Sequence, residues 1–172
     1  MEQIEPNNVR GAIDWSFDFT AEIARLLAFP VLVWTTKSGT WGTRFLAGSA
    51  AAGLSWLGVI GIACVRSLRN DDLFYFWIAT AALLIFHRVV GIVRRLGGYE
   101  CAAEFPGASW LWLGPGPWAE RAARFADAVV AFGVGLVLFQ LGRAPLGAVL
   151  MIGAAARLFG EGLDVRAVRA RA

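Results

Sequence analysis

The sequence predicts an all-α integral membrane protein, with four transmembrane helices arranged as two hairpins and an N-terminal interfacial amphipathic helix. Three observations carry that expectation. Long blocks carry no charge: residues 45–65, FLAGSAAAGLSWLGVIGIACV, are uncharged throughout and reach about 30 Å as a helix, the thickness of a bilayer core. The chain is 58% hydrophobic and 17% charged, with mean hydropathy +0.58, whereas soluble domains carry about 25% charged residues. The basic residues fall unevenly between the apolar blocks, which assigns them sides.

Taken in order, residues 1–44 read as a cytoplasmic or interfacial N-terminal segment. The start MEQIEPNNVR is acidic and polar and lacks the basic and apolar regions of a secretory signal, so the apolar segments are expected to insert uncut. Within 14–34, Trp15, Phe19, Ile23, Leu26, Leu27 and Pro30 follow helical spacing beside a polar stripe of Asp14, Asp18, Glu22 and Arg25. The apolar part is short and contains Pro30, so an interfacial helix is the expectation. Its acidic stripe argues against a simple anchor on anionic lipid, which leaves docking on the bundle or on a partner, and a re-entrant element, as alternatives.

The four-helix domain is placed at 45–160, with spans at 45–65, 73–93, 123–141 and 145–160 and a surface loop at 94–122. The loop holds GPGPW at 114–118, which cannot continue a helix. It also holds Trp110, Trp112 and Trp118, rings suited to the headgroup layer. Gly142, Arg143 and Pro145 interrupt the last apolar stretch, as a tight turn between antiparallel helices would; one kinked span is the alternative. With both termini cytoplasmic, twelve basic residues lie inside and three (Arg66, Arg69, Arg143) outside, with Arg88 set aside. Three spans would place the basic tail, 161–172, outside. Fifteen Arg against one Lys, with abundant Ala and Gly, suggests a bacterial source, hence the cytoplasmic (inner) membrane.

Small residues suggest close helix packing, with Gly48, Ala52, Gly53, Gly58, Gly133, Gly135 and Gly147 as the candidates. Chemistry is sparse. There is one His and two Cys. Cys64 and Cys101 are expected on opposite membrane faces, so no disulfide is expected between them, and no cluster has zinc-ligand spacing. No nucleotide-binding motif occurs, and the prolines of GPGP remove donors that a phosphate cradle needs. No cofactor, metal, catalytic residue or nucleic-acid partner is expected. A Ser49–His87 dyad has nothing around it resembling an oxyanion hole. In ALLIFHRVVGIVRR, residues 82–95, Arg88 is expected to snorkel toward the inner headgroups and His87 to pack against a neighbouring helix. The one specific polar contact expected is His87 or Arg88 with Asp127, unless Asp127 simply complements the dipole in the first turn of its helix. These features favour a non-enzymatic subunit or scaffold of a larger membrane assembly, such as a secretion or conjugation apparatus, in contact with lipid and with like or unlike membrane proteins. An oligomeric channel or transporter component and a membrane enzyme acting on lipid or peptide are the alternatives.

Overall fold

The computed structural model describes the backbone of residues 6–36, 43–68, 71–98, 109, 111 and 117–171, and side-chain surroundings over a narrower set within these. Among the described residues five helices follow in chain order: α1 Pro6–Thr35, α2 Thr43–Leu68, α3 Asp72–Leu96, α4 Pro117–Gln140 and α5 Ala144–Arg171. No strand occurs among the described residues; Thr36 and Ser109 make one isolated antiparallel bridge. Among the described residues three stretches are long and apolar enough to cross a membrane: Ala50–Leu68, Asp72–Leu96 and Trp118–Gln140. Ala144–Gly160 is apolar but shorter.

The helices α2 and α3 pack side by side, as do α4 and α5, and α1 packs on α5, α2 and α3. The interruption at 142–145 is a turn and not a kink. α4 ends at Gln140, Gly142 adopts φ +81°, which a side chain would disfavour, and α5 begins at Ala144. The amide of Arg143 bonds the Leu138 carbonyl at 2.9 Å, closing the α4 terminus. Across this turn Gly135 and Gly147 bring the two backbones together. A Cβ on Gly147 would sit 2.5 Å from the Gly135 carbonyl oxygen, and one on Gly135 would sit 2.9 Å from that of Gly147.

The C-terminal half of the segment expected at the interface packs into the bundle, the docking that its acidic stripe left as an alternative. Ala28, Phe29, Pro30, Val31 and Val33 are buried, Phe29 among α2 and α3 side chains and Val31 against Ala131, Leu150 and Ala154. An apolar stripe must be covered by something, and here protein covers its C-terminal half; Phe19 and Ile23, nearer the N-terminus, remain exposed. Pro30 sits inside this helix and supplies no N–H, so the Leu26 carbonyl loses its usual intrahelical donor. The Trp56 indole N–H on α2 takes that carbonyl at 2.8 Å.

Other boundaries differ from expectation too. α4 starts at Pro117, six residues before the expected span, with proline at the first helical position, where its missing N–H costs nothing. α3 runs on to Leu96, so both ends of the expected 94–122 loop are helical. α5 continues through most of the expected tail to Arg171.

Candidate functional site

The described side chains that carry polar chemistry inside the bundle gather around the C-terminal end of α1. A helix end leaves its last carbonyls without intrahelical donors. Here His87 of α3, buried to 1% exposure, places Nε2 2.9 Å from the Val33 carbonyl oxygen. The carbonyl can only accept, so Nε2 carries the proton and donates. Two residues on, the Arg157 guanidinium of α5 donates to the Thr35 hydroxyl. A cation suits this position, because partial negative charge accumulates where a helix ends.

Arg157 is itself held by a carboxylate. Its Nη2 lies 3.1 Å from Asp127 Oδ2 on α4, and both side chains are almost fully buried, at 4% and 3% exposure. The Ser109 hydroxyl donates to the Asp127 carboxylate and accepts the Leu111 amide at 2.9 Å. Ser109 also bridges to Thr36, which closes the constellation: α1 end, Ser109, α4 carboxylate, α5 guanidinium. A buried charge of either sign is costly alone, and the two persist here because each neutralises the other, with the Thr35 hydroxyl on the guanidinium and the Ser109 hydroxyl on the carboxylate.

A second polar contact joins α1 to α3. The Trp34 indole N–H donates to Thr80 Oγ1 at 3.0 Å, and the Thr80 hydroxyl donates to the Phe76 carbonyl at 2.7 Å. Trp34 also stacks on the Phe76 ring, with centroids 5.7 Å apart.

The expected pairing of Asp127 with His87 or Arg88 is thus replaced. Asp127 finds Arg157 and Ser109, His87 finds Val33, and Arg88 is exposed. Asp127 is not in the first turn of its helix either. It stands ten residues after Pro117, because α4 begins earlier than the uncharged run suggests. Arg157, the first charge after the last apolar run, is the cation of the pair. A signal for it exists in the sequence. Asp127 and Arg157 each stand fifteen residues from Gly142, so a hairpin turning there puts them at one level.

The small residues divide. A Cβ on Gly53 would overlap the Phe29 ring, at 2.2 Å, and one on Gly58 would press on the Trp77 indole, at 3.0 Å. Gly135 and Gly147 meet each other, whereas a Cβ on Gly133 would meet nothing within 4 Å and Ala52 is exposed, so neither of these two packs against a neighbouring helix. The surroundings of Gly48, and Trp110 and Trp112 altogether, lie outside the described residues. Trp118 is 79% exposed, with the Arg121 guanidinium 5.6 Å from its ring centroid. Among the described residues no group of three His, Cys, Asp or Glu side chains could hold a metal ion. No protein-family model, curated protein or solved structure matches the chain.

Proposed function

We propose that this chain is a non-enzymatic, multi-pass subunit or scaffold of a larger assembly in a bacterial inner membrane, a secretion or conjugation apparatus being one such setting. In this reading α2, α3, α4 and the shorter apolar part of α5 cross the bilayer, with both chain termini cytoplasmic. One observation carries the membrane part. The outer faces of the long helices are apolar (Val59, Ile62, Ile78, Ile85, Phe86, Val129, Val130 and Val137 are all exposed) while Asp127, Arg157 and His87 are buried. This distribution suits hydrocarbon and would be costly in water.

The scaffold part is supported by where the polar side chains are directed. Arg157, Asp127 and His87 are engaged with the end of α1, Ser109 and one another, an arrangement that fixes helices. The test is crosslinking in native membranes followed by identification of neighbours. The proposal expects the chain to crosslink to other membrane proteins in fixed proportion and to copurify with them. A chain that runs as a lone monomer and retrieves nothing contradicts it.

One observation favours a second reading, a channel or transporter component that acts as an oligomer. Asp127 and Arg157 lie about 22 Å along their helices from the turn at Gly142. If α4 spans the bilayer, that depth is within the hydrocarbon, where ionisable residues often mark an ion or proton path. Solute or proton flux in liposomes that is abolished by Asp127→Asn would select this reading over the scaffold.

A further inference from the structure

The C-terminal part of α3 presents a second set of charges that the bundle does not use. Arg88 and Arg95 are both exposed, and neither makes a hydrogen bond or ion pair among the described residues. They are seven residues apart, two helical turns, so they share one face about 10 Å apart along the axis. That face is otherwise apolar. Ile85 is 65% exposed, Val89 52% and Ile92 51%, and they flank Arg88 on the outside of the helix. A guanidinium on a face of this kind has few ways to be satisfied. Hydrocarbon offers it no acceptor, and the cost of leaving it there is at least a few kcal/mol.

We propose that Arg88 and Arg95 form a binding site for the phosphate of an anionic phospholipid, whose acyl chain lies along Ile85, Val89 and Ile92. The inference rests on the membrane reading above and adds a defined ligand to it. Charge complementarity selects the occupant. Two cations on one face match a headgroup of net negative charge better than a zwitterion, whose own amine competes for the phosphate. The planar, five-donor guanidinium suits phosphate oxygens. The apolar strip beside it selects a lipid over a free anion, because inorganic phosphate has nothing to lay on that strip. Arg88, the deeper of the two, draws the phosphate toward it, and Arg95 holds it at the headgroup level.

The test uses the full chain purified in mild detergent, with bound lipid counted by native mass spectrometry. Phosphatidylglycerol, phosphatidylcholine and inorganic phosphate are the probes. The wild type should retain phosphatidylglycerol in preference to phosphatidylcholine. Arg88→Gln and Arg95→Gln should each lower that preference about fivefold, the scale of one basic side chain at an anionic surface. Arg66→Gln, an exposed arginine on α2, should leave it unchanged. Equal retention of the two lipids by the wild type, or an unchanged preference in both α3 variants, overturns the site. Displacement of phosphatidylglycerol by inorganic phosphate overturns the assignment to lipid. Carbonate extraction separates the two failures: a chain that washes off the membrane defeats the membrane reading, whereas a carbonate-resistant chain without lipid preference defeats only the site.

Discussion

In the α2–α3 hairpin the close contacts are made by rings. Trp77 lies where Gly58 leaves room and donates its indole N–H to the Leu54 carbonyl at 3.0 Å, while Phe74 packs on Trp77 with centroids 5.6 Å apart. In the α4–α5 hairpin the close contacts are made by backbone, Gly135 against Gly147, and farther from the turn by the Asp127–Arg157 pair. The turn ends of α3 and α5 are tied together by an ion pair of Arg143 with Asp72, which holds the Arg143 guanidinium above its already high ordinary pKa. The difference teaches how an apolar bundle can be made specific. Apolar surface alone gives no register, since one greasy face fits another at many offsets. One hairpin sets its register with an indole seated on a particular carbonyl, the other with two glycines and two charges. α1 is fixed by both methods, through Trp56 on one side and Arg157 on the other.

The largest effect should come from separating the charges. Arg157→Met leaves Asp127 buried without its cation and should cost about 3–5 kcal/mol, read as earlier unfolding in a dodecyl sulfate titration. The double variant Asp127→Leu, Arg157→Met removes both charges and should recover most of the loss. If the single and double variants unfold together, the pair does not hold α4 to α5.

The same substitution at two glycines gives the next contrast. Gly147→Ala places a Cβ against backbone and should cost about 1–3 kcal/mol by forcing the helices apart. Gly133→Ala meets open space and should be neutral or stabilise by up to about 1 kcal/mol, because alanine is the better helix former. The same titration measures both, and a reversed order would mean that α4 presents its other face to α5.

A smaller effect tests the indole on the proline-freed carbonyl. Trp56→Phe should lose about 1 kcal/mol. In a Pro30→Ala background the amide at position 30 can bond Leu26 itself, so the same tryptophan change should cost measurably less. A double-mutant cycle in detergent reports this coupling, and strict additivity would remove the explanation. The smallest effect belongs to the exposed turn. Arg143→Gln should lower stability least of these variants, and high salt should erase the difference.

The four apolar stretches were legible because hydrophobicity is a bulk property of the chain; each falls almost wholly within one helix. Helix ends were less legible. Pro117 read as part of a rigid turn, although proline is equally at home in the first position of a helix, and that choice moved Asp127 from the interior of α4 to its first turn. The apolar stripe of α1 was visible, but a stripe says only that something covers it. Whether lipid or protein does so depends on where α5 lies, which is set by contacts more than a hundred residues away, such as Val31 beside Gly153. A single charge at the end of an apolar run, as Arg157 is, usually marks where a span stops. Its distance from Gly142, matched by Asp127, marks it as a partner.

In the membrane reading, the outward apolar side chains of α3 and α4 meet hydrocarbon while Asp127 and Arg157 stay within the bundle. Spin labels at Ile85→Cys and Val130→Cys, in a Cys64→Ser, Cys101→Ser background reconstituted in liposomes, test it most directly. Collision rates should be high with oxygen, which partitions into lipid, and low with a water-soluble nickel chelate. Labels at both positions that the nickel chelate reaches freely would contradict the account.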